Sequence, residues 1–263
     1  MKNEARDEEL SASVLQAGLG TEIIGSRIIY RASVTSTMDV AREAAIGGVP
    51  EGTAVFAGCQ TSARGRLKRT WFSPTGNIAV SIVLYPGKDQ LPYLTMLAAV
   101  GVMRAVNQVT GLVARIKWPN DVWINERKVC GILIENAWCG TRMDYAVMGI
   151  GLNVNLGPVH YPEIEPTATS LSRETGANVS RRVMAQQVLR ELDRLYLDLR
   201  EGITPYEVWR QHLLTLGRPV TVRQGDTVYE GMAESVAGDG SLMLRLASGN
   251  LVRIMADDVT LRG

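Results

Sequence analysis

The residues with the clearest chemical potential lie in one short stretch, SARGRLKRTW, residues 62–71. It gathers Arg64, Arg66, Lys68 and Arg69 around Gly65, and no acidic residue occurs between Glu51 and Asp89. Alternating Arg-Gly-Arg sets two guanidinium groups on one side of an extended segment, with a glycine that lets the backbone approach a ligand. Guanidinium forks match the paired oxygens of carboxylates and phosphates. Trp71 adds a flat apolar face for a ring. Taken alone, these residues fit a solvated turn, a nucleic-acid patch, or a loop that holds a small anion. Four mutually repelling cations also predict a loop that becomes ordered when an anion arrives.

A second constellation is KWPNDVWINERKVCGILIE, residues 117–135. A Lys-Trp-Pro-Asn-Asp run closes one strand, the Asn-Glu-Arg-Lys segment reads as a turn, and Gly131 falls inside the next strand. An interior strand glycine weakens the strand and marks the close approach of a ligand or another backbone. The plainer reading is a tight hairpin with Trp118 in the core. Other signatures are missing: there is no GxxxxGK[ST] phosphate loop and no GxSxG elbow. The only histidines are His160 and His212, which argues against a histidine acid/base pair or a zinc site. GIGLNVN, residues 149–155, opens like a dinucleotide fingerprint, but Val154 stands at the third glycine position and no helical pattern follows.

Strands and helices must position these segments. TAVFAGCQ and NIAVSIVLYP read as strands flanking the basic loop. STMDVAREAAIGG reads as a helix capped by Ser36, with Asp39 in a capping-box position and Gly47-Gly48 at its end. Pro92 opens a helix closed by Gly111. Short strands are expected over 113–118, 121–125, 129–138 and 143–150. A Pro- and Thr-rich surface loop is expected over 157–170. The spacing of Val183, Val188, Leu192, Leu195 and Leu199 predicts a helix over 180–200, and another follows Pro205. Beyond 217, short β-type runs broken by QGD, AGDG and ASGN predict a small barrel of about five strands. The class is α+β, not doubly wound. The chain divides into an N-terminal extension (1–24), a main domain (25–216) and a small C-terminal β-barrel (217–263).

Composition narrows the setting. The chain has 263 residues, 46% hydrophobic and 21% charged, enough for one sizeable core and a small second domain. A net charge of +1 argues against a protein that wraps nucleic acid. Three cysteines without a CxxC fit a reducing compartment. MKNEARDEEL carries acids where a signal peptide needs an apolar core. The longest apolar run is shorter than the roughly 20 residues that span a bilayer. A cytoplasmic protein with no membrane partner is expected.

Taken together, the motifs resemble the biotin protein ligase family. They occur in family order: STM at 36–38, QTSARGRLKRTWFSPTGN at 60–77, KWPNDVWINERKVCGILIE at 117–135, GIGLNVN at 149–155 and ATSL at 168–171. The resemblance covers about residues 25–263 and implies the mixed-sheet catalytic domain of biotin and lipoate ligases. It implies ATP-dependent activation of biotin to biotinyl-AMP, with magnesium, and transfer to a lysine of a biotin carboxyl carrier protein domain. Neither step needs a protein nucleophile; both need two anions to be positioned and their charge stabilised. By the same resemblance, Ser36, Thr37, Met38 and Gln60 bind the ureido end of biotin. Arg64, Gly65 and Arg66 fold over its carboxylate and the phosphates, and Lys128 contacts the reacting groups. Gly131 and Leu133 line the biotin pocket, Trp71, Asn153 and Asn120 belong to the ATP side, and Asp121 is the candidate magnesium ligand. Ala63 and Lys68 replace two glycines of the family's Gly-Arg-Gly-Arg-x-Gly-Arg motif, and Met38 replaces its usual asparagine. Relatives that repress transcription carry an N-terminal helix-turn-helix domain; about 25 leading residues here are too few for one, so no DNA binding is expected. Family members are often dimers, which makes a homodimer possible. The rival readings are a lipoate or octanoate ligase on the same fold, against which the two basic motifs argue, and a nucleic-acid-binding module.

Overall fold

The computed structural model describes residues 10–156, 166–255 and 258–261. Residues 1–9 of the expected N-terminal extension and most of the expected loop, 157–165, lie outside the described residues. The main domain runs α1 (Ala12–Gln16), β1 (Ile28–Val34), α2 (Thr37–Ile46), β2 (Ala54–Gln60), β3 (Ile78–Leu84), α3 (Leu91–Thr110) and β4 (Arg115–Lys117). It continues with β5 (Asp121–Ile124), β6 (Arg127–Cys139), β7 (Arg142–Leu152), α4 (Leu171–Thr175), α5 (Arg181–Arg200) and α6 (Tyr206–Gln211). The C-terminal strands are β8 (Pro219–Gln224), β9 (Thr227–Val236), β10 (Leu242–Leu246), β11 (Leu251–Ile254) and β12 (Asp258–Leu261).

Seven strands form one mixed sheet in the order β1-β2-β3-β7-β6-β5-β4. Only β1 and β2 are parallel, because α2 crosses between them; the rest pair as antiparallel neighbours. The α+β class holds. Side chains alternate between faces along each strand. On one face, Ile78, Val80, Ile82 and Leu84 of β3 and Ala146, Met148, Ile150 and Leu152 of β7 enter the main core with α3 and α5. Gly101 lets those two helices approach: a Cβ there would lie 2.7 Å from the Leu192 side chain. On the other face α2 covers only part of the sheet, through Met38, Ala41 and Ala45 against Val55, Val83 and Val147. The uncovered remainder is where the site lies.

Three expectations change. Ser36 does cap α2, but its hydroxyl accepts from Met38 N, and Asp39 turns to arginines instead of closing a capping box. Ion pairing outcompetes the local backbone contact there. Val183 is exposed, because it lies about 140° round α5 from the buried stripe of Val188, Leu192, Leu195 and Leu199. The C-terminal strands make an open sheet, β11-β10-β9-β8-β12, with no ladder joining β11 to β12 among the described residues. Only three residues separate those two edge strands, so their ends lie within roughly 14 Å of each other. A flat five-stranded sheet would hold its edges about 19 Å apart. The sheet therefore rolls towards the expected barrel, with its edge strands not joined by a ladder among the described residues.

The two sheets share a core. Trp118 is buried, and its indole N–H donates to Gly240 O at 2.8 Å. Tyr206 donates its hydroxyl to Val236 O at 2.7 Å. The hairpin reading of residues 117–135, with Trp118 in the core, is correct and coexists with a site on the opposite side of the same segment. Among the described residues, no helix is long and apolar enough to cross a membrane.

Candidate active site

A cavity of about 690 Å³ opens on the sheet face that α2 leaves uncovered. Strand register builds its floor. Ser81 of β3 pairs with Gly149 of β7, which pairs with Leu133 of β6; one row along, Gly151 pairs with Gly131. Glycine is needed here for space. A Cβ on Gly149 would come 2.5 Å from Met38 Sδ, and one on Gly151 would come 2.5 Å from Trp71 Nε1. A Cβ on Gly131 would meet the Trp71 ring at 3.0 Å and Lys128 Nζ at 3.2 Å. The close approach inferred for Gly131 is thus made by two side chains of the site itself.

One end of the floor is polar and tightly bonded. Ser81 donates to Thr37 Oγ1 at 2.8 Å, and the Thr37 hydroxyl and backbone N–H donate to Gln60 Oε1 at 3.0 and 2.8 Å. Gln60 in turn donates to Ser73 Oγ at 2.9 Å. Ser36, Thr37, Ser73 and Ser81 are all buried, so this relay is preset by packing. Met38 is buried against Gly149, within the small core under α2.

The basic loop folds back on itself as a hairpin. Gly65 N donates to Arg69 O at 2.8 Å, Trp71 N donates to Ala63 O at 3.0 Å, and a 3₁₀ turn covers Arg66–Lys68. Gly65 has φ −99°, so its backbone is open to any residue; the left-handed residue is Leu67, at φ 54°. Ala63 keeps the negative φ that its substitution for glycine requires.

The picture of four unpaired cations is overturned. Arg64 forms a two-pronged pair with Asp39, at 3.1 and 2.7 Å, and its Nε donates to Glu135 at 3.4 Å. Arg42 bridges the same acids, at 3.1 Å to Asp39 and 2.7 Å to Glu135. Hydrogen bonding to Arg64 outweighs partial burial and holds the Asp39 carboxyl below its ordinary range; the Asp39 and Glu135 contacts push the Arg64 guanidinium up. Arg66 instead donates to the neutral Asn120 Oδ1 at 3.3 Å. Asn120 is anchored on β6 by its amide, which donates to Ile132 O.

Lys128 Nζ lies 2.7 Å from Asp121 Oδ1 and 5.3 Å from the centre of the Trp71 ring. The Lys128 backbone bridges to Ala168, which seats the Ala-Thr-Ser-Leu segment beside the site. Asn153 is buried; its amide donates to Thr169 O at 3.0 Å and its carbonyl accepts from Asn77 at 3.5 Å. Asn153 therefore works as a strut for residues 168–170 as well as a wall of the cavity. Cys130 is fully buried and its thiol is pushed up by burial, as expected of an inert structural cysteine.

Every residue named from the sequence lines this one cavity: Ser36, Thr37, Met38, Gln60, Arg64, Gly65, Arg66, Trp71, Asn120, Asp121, Lys128, Gly131, Leu133 and Asn153. Sequence reasoning missed Ser73, Ser81, Gly149 and Gly151, as well as Asp39 and Glu135. The Gly-Ile-Gly alternation inside a strand was the available signal for the two glycines; the acids carried none. It also missed Arg218, which the C-terminal sheet contributes to the cavity lining and which pairs with Glu126 at 3.1 Å. Glu126 takes φ 62° in the β5–β6 turn, a position that glycine fills without strain.

A mixed sheet with a rolled C-terminal sheet, and an arginine-rich hairpin over a glycine-lined cavity, defines an α+β protein built to bind a small anionic ligand. Comparison with known proteins agrees. The Biotin/lipoate A/B protein ligase family model matches residues 30–153, and the Biotin protein ligase C terminal domain model matches residues 215–262. The bifunctional ligase/repressor BirA of Bacillus subtilis is 36% identical over 259 residues, spanning 96% of this chain and 79% of that protein. The biotin–[acetyl-CoA-carboxylase] ligase of Paracoccus denitrificans is 34% identical over 207 residues, covering 75% of this chain and 86% of its own. Among solved structures, the biotin protein ligase from Aquifex aeolicus in complex with biotin and ATP matches with a TM-score of 0.78 and 29% identity. That match covers 90% of this chain and 99% of the other. The chain belongs to the biotin protein ligase family.

Proposed function

We propose that this protein joins biotin to a carrier protein in two steps. The biotin carboxylate attacks the α-phosphate of ATP, forming biotinyl-5′-AMP and releasing pyrophosphate. A lysine amine of a biotin carboxyl carrier domain then attacks the acyl carbon, losing a proton and releasing AMP. The observation that carries this reading is a single cavity with opposite ends. A preset hydroxyl–amide relay, Ser81–Thr37–Gln60, closes one end, and Lys128 and Arg66 stand at the other. The relay suits a neutral polar ring, and Leu133 with the bare strand at Gly149 leaves room for an apolar tail. The cations suit a carboxylate meeting a phosphate, where preorganised charge does most of the catalytic work.

In this reading Ser36, Thr37, Met38 and Gln60 hold the ureido ring, and Gly131 and Leu133 flank the biotin tail. The hairpin at Arg64, Gly65 and Arg66 covers the reacting carboxylate, Lys128 steadies the charge developing between carboxylate and α-phosphate, and Trp71, Asn120 and Asn153 serve the nucleotide side. Magnesium, when bound, neutralises phosphate charge. Asp121 is the carboxylate to hold it, and one carboxylate with substrate phosphates is a normal set for this ion. Among the described residues no cluster of three His, Cys, Asp or Glu competes for that role. The division into 1–24, 25–216 and 217–263 follows the same reading, with Arg218 bringing the C-terminal domain to the nucleotide end. Three free cysteines accord with a cytoplasmic enzyme. A homodimer joined through sheet edges would use β1, the outermost strand beside β2.

The test is incubation of the protein with biotin, ATP, magnesium and a purified carrier domain, read by intact mass. One added biotinyl group on one lysine is expected. No labelling of several carrier domains, or labelling with lipoate instead, would overturn the reading.

A further inference from the structure

Arg64 and Arg66 are two residues apart in the same hairpin; Arg66 donates to the neutral Asn120 Oδ1, whereas Arg64 is turned to two carboxylates. Three of the five N–H donors of Arg64 are engaged by Asp39 and Glu135. Arg42 closes the arrangement into a ring of alternating charges, Arg64–Asp39–Arg42–Glu135. All four side chains are partly buried, so solvent screens the ring less than it would an exposed pair. The ring has no net charge. Moving the Arg64 guanidinium onto a ligand anion would leave Asp39 and Glu135 facing it with only Arg42 between them, which opposes anion binding.

The ring also spans three elements. Asp39 stands in the first turn of α2, directly after Ser36, Thr37 and Met38; Glu135 stands on β6, two residues beyond Leu133; Arg64 stands at the base of the hairpin. A contact that ties all three would hold the hairpin in fixed register over both the polar end and the floor.

We propose that Asp39, Glu135 and Arg42 latch Arg64, so that the Arg64 side chain is a positioning group for the basic hairpin and not a ligand of the reacting anions. The proposal rests on the ligase reading for its catalytic consequence, but the latch itself can be tested without it. Asp39 and Glu135 hold the hairpin base, and Arg66 and Lys128 meet the reactants.

The experiment compares the wild-type chain with Arg64→Ala, with Asp39→Asn/Glu135→Gln, and with the triple variant. The first readout is trypsin cleavage after Arg66 and Arg69, followed by mass spectrometry, with cleavage at Arg190 in α5 as the reference for global opening. Cleavage in the hairpin is expected to quicken about tenfold in all three variants alike, with the reference site unchanged. The second readout is biotin-dependent ATP–pyrophosphate exchange. KM for biotin is expected to rise about tenfold in Arg64→Ala and in the acid pair, with kcat within about threefold and no further loss in the triple variant. Unchanged hairpin cleavage, or equal quickening at Arg190, would overturn the latch. So would a kcat for Arg64→Ala about tenfold or more below that of the acid-pair variant, or additive losses in the triple. If the wild-type chain supports no exchange, the ligase reading fails, and the cleavage readout still decides the latch. The single variants Asp39→Asn and Glu135→Gln serve should the pair fail to fold.

Discussion

The floor of the cavity and its rim are held by different forces. The floor, Ser81, Gly131, Leu133, Gly149 and Gly151, is a patch of three paired strands whose opposite face is the main core. Its geometry is as rigid as the core beneath it. The rim, residues 62–71 with Asp121, Glu126, Lys128 and Arg218, is held by ion pairs of partly exposed side chains. An exposed pair such as Arg218–Glu126 contributes about 0–1 kcal/mol and can exchange partners, whereas the ring at Arg64 ties the hairpin base to α2 and β6. A site that must admit a ligand, close over it and release a mobile intermediate combines both: shape set by packing and closure set by charge.

Substitutions can break or sharpen this contrast. The largest effect is expected at Lys128, the rim group that the proposed mechanism assigns to the reacting carboxylate and α-phosphate. Lys128→Ala should slow pyrophosphate exchange by about 10²–10³-fold. A loss under about threefold would remove Lys128 from the chemistry, since one misplaced charge donor alone exceeds that.

Gly151→Val tests the floor. The added carbon would displace the Trp71 ring, and a shift of about 1 Å at such a site lowers the rate about 10²-fold. Trp71 is only partly buried, so melting should barely move while tryptophan fluorescence changes. Unaltered kinetics would show that the ring turns aside without consequence.

Glu126→Gly probes the weakest part of the rim. It removes the exposed Arg218 pair and relieves a left-handed residue, two changes of about 1 kcal/mol each that oppose one another. Denaturant midpoints should stay nearly constant. A marked destabilisation would mean that the turn is part of the rigid floor.

The smallest effect is a titration. The Asp39 carboxyl is held below its ordinary range by Arg64, so its contribution is present above the usual value of about 3.9 and is lost as pH falls through the lowered folded value. Arg64→Ala should move the Asp39 carboxyl resonance midpoint upwards in an NMR titration. No movement would place the pair too far apart in solution to matter.

The elements around the site were largely legible in the chain. Ser36 caps α2, Pro92 opens α3 and Gly111, at φ 73°, closes it, because capping and proline stereochemistry act over a few residues. The lining residues were legible through the family resemblance, whose motifs are contiguous runs of the chain. Asp39 was misread as a capping-box partner because its true partner lies 25 residues away. Val183 is apolar but stands five residues before Val188, about 140° round the helix from the buried stripe, and meets solvent. The barrel was expected from five short β runs, and whether its edge strands bond to one another depends on a register that no short run encodes.

By itself, the sequence determined the α+β class, the chemical types at the site and the glycine spacing that opens its floor, all of which follow from local stereochemistry and side-chain type. Tertiary structure alone decided which acids meet the clustered cations: Arg64 is paired with Asp39 and Glu135, brought in from 25 and 71 residues away. Electrostatic interactions depend on distance in space and on burial, and neither is written in the order of the chain.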